Sequence, residues 1–287
     1  MKIAIGLPNP IPGTPGRLLV DWARSAEERG FSSLATIDRI AYPSYESLIS
    51  LAAAAGVTER IGLITNVLLG PTRNPVLLAK EAASVHQISD GRLTLGVGVG
   101  GREDDFEAVG ADFGSRGRRW DHALGLMDKA WRGEPVGGSP KPVTPSLAGR
   151  KDVPLLIGGM TDKAIERTVK WGVGWTSGGM PPDQVGPFVE QVHSAWKDAG
   201  REGVPHIAAL AYFSLGEDVE AESIGYLKDY YSFLGEWVDA MANGIPRTPE
   251  AVKQTVAAFA DIGVDELVLD PTVADLSQVD RLAEVVL

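Results

Sequence analysis

Apolar residues along this chain fall into two alternating rhythms. Short runs rich in β-branched residues each give way to a longer stretch in which apolar positions recur every three or four residues. Residues 2–6 form the first run, and across 17–29 the positions Leu19, Trp22, Ala23 and Ala26 then mark one helical face. The cycle repeats at 33–37 and 45–55, at 61–65 and 75–89, and at 93–97 and 118–131. In the last of these helices Trp120, Ala123, Leu124, Met127 and Trp131 form a single apolar stripe. Four more strand-like runs follow at 154–157, 174–176, 207–213 and 266–269, each trailed by a helical pattern. Eight strand–helix units without a break in composition predict one α/β domain over 1–287, a (β/α)₈ TIM barrel. Asn74-Pro75 and Thr248-Pro249 each place a capping side chain before a proline suited to a first helical turn. Two Gly- and Pro-containing stretches, 133–153 and 235–247, are expected as ordered excursions over the barrel mouth.

Composition narrows the function classes. With 27 Lys and Arg against 38 Asp and Glu the net charge is −11, and no basic stretch interleaved with aromatics marks a nucleic-acid groove. The absence of cysteine removes disulfides, thiolate metal sites and cysteine nucleophiles. The opening MKIAIGLPNPIPG has too short an apolar run for a signal peptide, and no window approaches a membrane span, so a cytoplasmic protein is expected.

In a barrel of this kind chemistry belongs to the residues just after each strand. That rule selects Asn9, Asp38, Arg39, Thr65, Asn66, Gly98, Gly100, Gly101, Glu103, residues 158–161 and 176–178, Tyr212, Ser214 and Asp270. No strand after Lys2 carries a lysine for Schiff-base chemistry. His86, His122 and His193 fall in helices and His206 starts its strand at the wrong end, which leaves no metal-ligand cluster. GVGVGG, residues 96–101, satisfies G-x-G-x-x-G, but a helix stands where a dinucleotide fold needs its second strand. Glycines at a strand end instead suit close approach of a planar or phosphorylated ligand. In LLIGGMTDKAIERTVKW an apolar strand runs through Gly158 and Gly159 into a helix. Its free first-turn amides, with the Thr161 hydroxyl and neighbouring Thr176, Ser177 and Gly178, suit a phosphate monoester. Arg39, Glu103 and Tyr212 are the candidate catalytic polar groups at the mouth.

RNPVLLAKEAASVHQISDGRLTLGVGVG, RGRRWDHALGLM, PLLIGGMTDKAIERTVKWGVGW and GVDELVLDP together resemble the bacterial luciferase-like monooxygenase family, over essentially the whole chain. The resemblance implies a barrel that binds FMN or the deazaflavin coenzyme F-420 at the strand C-termini, often as a homodimer. It places Thr65, Asn66 and Val67 behind the tricyclic ring, often with a cis peptide and a bulge. Gly96, Gly98 and Gly100 then follow the cofactor, and Gly158, Gly159, Met160, Thr176, Ser177 and Gly178 hold its phosphate end. Asp38 matches a position at the ring's polar edge. Related deazaflavin-dependent sugar and alcohol dehydrogenases carry a histidine acid/base where this chain has Arg39, whose guanidinium cannot accept a substrate proton. The leading expectation is a monooxygenase that takes reduced FMN from a separate reductase and transfers one atom of dioxygen to a small organic substrate. The alternatives are a deazaflavin-dependent reductase or dehydrogenase and a non-catalytic flavin-binding protein.

Overall fold

The computed structural model describes residues 1–145, 147 and 152–287. Eight parallel strands pair in chain order, and the eighth closes on the first: β1 Lys2–Gly6, β2 Ser33–Thr36, β3 Gly62–Leu69, β4 Leu93–Gly98, β5 Leu155–Gly158, β6 Gly174–Thr176, β7 His206–Phe213 and β8 Glu266–Pro271. Among the described residues the helices are α1 Gly16–Arg29, α2 Ser47–Ala55, α3 Pro75–Ile88, α4 Glu103–Glu107, α5 Arg116–Trp131, α6 Asp162–Trp171, α7 Pro182–Asp198, α8 Glu220–Tyr230, α9 Trp237–Gly244, α10 Pro249–Asp261 and α11 Ser277–Val286. None of them is long and apolar enough to cross a membrane.

The strands read as nearly continuous apolar runs because both of their faces are covered. Inside the barrel Ala4, Ala35, Ile64, Leu156, Ala208 and Val268 form one small packed cluster. Between the barrel and its helices lies the larger core, with Trp22, Trp120 and Trp175 fully buried. The sequence-level caps act as expected. Asn74 accepts hydrogen bonds from the amides of Val76 and Leu77, and Thr248 accepts one from Ala251. Arg29 ends α1, and Gly30 takes the left-handed φ of 91° that turns the chain toward β2.

β3 runs past its expected end at Thr65 to Leu69. The Asn66–Val67 peptide is cis, and the register with β4 shifts between Thr65 and Leu68. This bulge sends Val67 sideways toward β4 and β5, where Gly98 and Gly158 make room for its side chain while Gly96 makes room for the Thr65 carbonyl. A Cβ on Gly96 would lie 2.0 Å from the Thr65 carbonyl oxygen, one on Gly98 2.8 Å from Val67 Cγ2, and one on Gly158 2.9 Å from Val67 Cγ1. Gly96, Gly98 and Gly158 therefore serve the bulge directly, where the sequence reading had given them to the ligand.

The excursion at 133–153 also differs from expectation. It follows α5 and leads into β5, so the topology carries it to the N-terminal end of the barrel, opposite the strand C-termini. Val136, Leu147 and Val153 are buried in the helix-facing core, and Thr144 Oγ1 donates to the Ala130 carbonyl 2.9 Å away. Residues 146 and 148–151 of that stretch lie outside the described residues. The second stretch, 235–247, is largely the helix α9. Ala242 on α9 packs into a cluster with Leu210, Tyr212, Tyr226 and Tyr230 at the mouth.

Gly96 offers the sharpest test of the bulge, because its obstructing neighbour is backbone that cannot rotate away. Gly96→Ala is expected to lower unfolding stability by about 3 kcal/mol or more, read from the midpoint of denaturant unfolding. An unchanged midpoint would show that β4 does not press on the bulge.

Candidate active site

A cavity of about 150 Å³ opens at the C-terminal ends of the strands. Its walls include Asp38, Arg39, Asn66, Val67, Gly101, Arg102, Gly178, Tyr212, Tyr230 and Tyr231. An outer cleft of about 410 Å³ adjoins it and is lined by Glu103, Asp104, Asp229 and Phe233. Arg39, Gly101, Arg102 and Tyr230 border both spaces.

Most charged groups of the inner cavity are already engaged. Asp38 is buried and both its oxygens accept. Oδ2 takes the Leu69 amide at 2.9 Å and Arg73 Nη1 at 2.7 Å, while Oδ1 takes Arg73 Nη2 at 3.1 Å and Ser47 Oγ at 3.2 Å. The carboxylate thus ties the ends of β2 and β3 together. Burial works against the charge of Arg73, but Asp38 and then Glu46 outweigh it and hold the guanidinium above its ordinary value. Arg39 is paired in the same way: Nε donates to Asp105 at 2.8 Å and Nη2 to Asp104 at 2.7 Å. Asp105, 1% exposed at its side chain, also accepts the amides of Ile40 and Ala41. Arg39 is thereby a fixed wall of the cavity. Glu103 opens α4 and stands exposed at the rim of the outer cleft.

The third candidate, Tyr212, sits among aromatics that the sequence reading passed over. Its hydroxyl lies 2.6 Å from that of Tyr231, and the two rings meet edge to face. Tyr226 and Tyr230 adjoin, and Tyr42 Oη donates to Asp229 at 2.5 Å. Five of the chain's six tyrosines therefore converge on this mouth. The clustered run YLKDYYSF, residues 226–233, was the signal available in the sequence. Arg102, also missed, stacks on this group, with Cζ 4.3 Å from the Phe233 centroid and 4.5 Å from that of Tyr230. Burial first, and then the neighbouring phenols, hold Tyr212, Tyr226 and Tyr230 well above the ordinary tyrosine value, and burial pushes Tyr231 up to about 12.

Asp270 ends β8 on the interior side, two residues beyond Val268, and its carboxyl fills the space over Gly6. Both of its oxygens lack a hydrogen-bond partner among the described residues, and burial holds it well above the usual carboxylate range. A carboxyl whose ionisation is disfavoured by burial therefore lies near the tyrosines.

The loops expected to hold a phosphate divide into two parts. Gly178 lines the cavity with open space around its Cα, whereas Gly159, Met160 and Thr161 form an exposed turn outside it. The Thr161 hydroxyl accepts the Ala164 amide as the cap of α6, and Trp175 Nε1 donates to the Gly159 carbonyl at 2.8 Å. Thr176 is buried and donates through Oγ1 to Asn66 Oδ1 at 2.7 Å. That bond leaves Asn66 Nδ2 as a buried donor without an acceptor among the described residues, and Ser177 Oγ has no partner among them either. Thr65 Oγ1 donates to the Gly96 carbonyl, within the bulge. Gly100 takes a φ of 76° beside Phe106 and closes β4.

These features stand beside clear likenesses. The sequence matches the luciferase-like monooxygenase family over residues 1–279. An uncharacterized protein of Mycobacterium tuberculosis is 29% identical over 208 residues, covering 62% of this chain and 71% of that one. A 5,10-methylenetetrahydromethanopterin reductase of Methanolobus tindarius is 27% identical over 213 residues, covering 72% of this chain and 64% of that one. Among solved structures, an F-420-dependent secondary alcohol dehydrogenase in complex with an F-420–acetone adduct superposes with a TM-score of 0.80 at 18% identity, over 99% of this chain and 98% of that one. The oxygenating constituent of the Pseudomonas putida 3,6-diketocamphane monooxygenase, in complex with FMN, superposes at 0.73 and 18% identity, over 100% and 98%.

The buried acid has a testable sign. A carboxyl raised above its unfolded value of about 3.9 contributes its full stability below that pH and loses it as the pH rises. Asp270→Asn is expected to melt higher than the wild type at pH 7, with the gap closing toward pH 4; a lower melting temperature at pH 7 would show a charged, partnered carboxylate. The tyrosines act in the same direction at the other end of the scale. Unfolded phenols ionise near pH 10 while the clustered ones stay neutral, so stability should fall as the pH rises past that point. An absorbance titration at 295 nm should show most of the six phenols ionising only as the fold is lost.

Proposed function

The chain belongs to the luciferase-like monooxygenase family, and from that membership we propose that it is a reductase that uses reduced deazaflavin coenzyme F-420 to reduce an electrophilic double bond, a carbonyl or imine, in a small organic substrate. The observation that carries this reading is which polar groups at the mouth are already paired. Asp38 and Asp105 are consumed by Arg73 and Arg39, and the polar groups left over in the cavity wall are the phenols Tyr212 and Tyr231, whose hydroxyls meet at 2.6 Å and whose ionisation burial disfavours. An inner cavity that offers phenol donors and whose carboxylates are tied up by arginines serves reduction, because the substrate heteroatom must gain a proton. It does not serve oxidation of an alcohol, which needs a base to take one. The methanopterin reductase, similar over 72% of this chain, supports the same direction.

The residues present suit such a coenzyme. Asn66 Nδ2 is a buried donor in want of an acceptor, the Val67 bulge forms the cavity wall beside it, and Gly178 leaves open the space that a larger residue would fill. Asn66, Val67, Gly101 and Gly178 would hold it. When bound, the coenzyme supplies the hydride. The protein contributes the rest. Tyr212 Oη hands its proton to the substrate heteroatom, and Tyr231 Oη, 2.6 Å away, is placed to restore it. The apolar faces of Leu69 and Leu210 keep water from the reacting bond.

The reading that stands second is FMN-dependent monooxygenation, favoured by the likeness to the camphane enzyme's fold. Fluorescence titration with F-420 and with FMN separates them: saturable binding of F-420 and consumption of its reduced form without oxygen uptake are expected. Binding of FMN alone, with oxygen uptake coupled to product, would overturn the proposal. Gly178→Val is expected to weaken F-420 binding at least tenfold while leaving the melting temperature unchanged. Tyr212→Phe should lower kcat about 10²- to 10⁴-fold with coenzyme affinity unaltered.

A further inference from the structure

One cation at the mouth stands outside the ion pairs that engage the others. Arg73 answers Asp38, and Arg39 answers Asp105 and Asp104. Arg102 borders the inner cavity and the outer cleft alike, yet among the described residues it has no carboxylate and no hydrogen-bond partner. Its Nη1 is buried without an acceptor. The rings of Tyr230, Tyr231 and Phe233, with centroids 4.5, 5.2 and 4.3 Å from Cζ, hold the guanidinium in place but accept no conventional hydrogen bond. A buried donor of this kind costs free energy until an acceptor arrives, and one carrying a full positive charge is best met by an anion.

From this juxtaposition we propose that Arg102 is the anion-recognising residue of the substrate site, and that the substrate of the reduction carries a carboxylate close to its reducible bond. The inference rests on the reductase reading for the word substrate, but its geometry is independent of it. A guanidinium presents paired N–H donors that match the two oxygens of a carboxylate, which a lysine does not. Tyr212 and Tyr231 lie on the same cavity wall as Arg102, so a carboxylate held there leaves an adjacent carbonyl within the group of phenols. The acidic residues of the outer cleft do not annul the site. Asp104 is engaged by Arg39, Asp229 accepts from Tyr42, and Glu103 is exposed, where water and salt screen it.

The test uses three 2-oxo acids, pyruvate, 2-oxoglutarate and phenylpyruvate, each against its neutral methyl ester. Each is titrated calorimetrically into the wild type, Arg102→Gln and Arg102→Lys, with and without F-420. At least one acid is expected to bind the wild type about 10- to 100-fold more tightly than its ester. Arg102→Gln should bring the two within twofold, Arg102→Lys should fall between, and F-420 affinity should be the same in all three proteins. Equal affinity of acid and ester for the wild type across the whole set would overturn the inference, and that comparison needs no variant to fold. Survival of the acid preference in Arg102→Gln would overturn it too. Loss of F-420 affinity in that variant, with acid binding intact, would overturn it by assigning the guanidinium to the coenzyme's anionic tail. Failure of the wild type to bind F-420 while the acid preference stands would sink the reductase reading and leave Arg102 in its role.

Discussion

The mouth of this barrel is shaped by side chains that are missing. Val67 swings out of β3 at the bulge against Gly98 and Gly158, and the Thr65 carbonyl presses against Gly96; a Cβ on any of these three glycines would collide. Close-packed interiors leave no slack for an added methyl at such a place. Once Val67 is seated, Asn66 is fixed by Thr176 and offers its amide nitrogen to the cavity, and Leu69 is aligned to donate its amide to Asp38. Asp38 in turn orients Arg73, so one steric fit organises a chain of polar contacts that runs from β6 around to β2.

A second set of constraints comes from the segment after β7. Tyr226, Tyr230 and Tyr231 bring a dense aromatic surface over the cavity, and burial keeps their hydroxyls protonated. The division of labour is electrostatic. On the β2–β4 side, cations and carboxylates are paired off into a rigid wall. On the β7–β8 side, phenols and a carboxyl sit where burial disfavours their ionisation. Arg102 lies between the two as the one cation among these wall residues without an ionic partner among the described residues.

The eightfold alternation was legible because parallel strands covered on both faces read as unbroken apolar runs while their helices keep a 3.6-residue period. Of the strand-end residues, Asp38, Arg39, Asn66, Gly178 and Tyr212 line the cavity. What failed was the assignment of purpose. A glycine in a strand admits either a ligand or a neighbouring chain segment, and nothing in GVGVGG tells the two apart; the bulge that decides is a pairing between strands. Paired charges were equally hidden, since Arg39 and Asp105 are far apart in sequence and meet only through the barrel. The tyrosines were visible as a cluster, but a helical aromatic run reads as core until its partners across the mouth are known. The long stretch after α5 was misplaced because its composition drew more weight than its order: a segment leaving a helix for a strand returns to the barrel's other end.

That return has its own consequence. Residues 133–145 are remote from every wall of the cavity and are held to the body by a few contacts such as Thr144 with Ala130 and Val136 with the core. Because loop closure grows costly only with the logarithm of length, the chain can be lengthened there, or joined to another folded unit, with little strain passed to the catalytic end. Evolution and the bench share the same freedom at that pole: it is where a tether to a surface or to a companion enzyme can be spliced in while the reaction chamber goes on undisturbed.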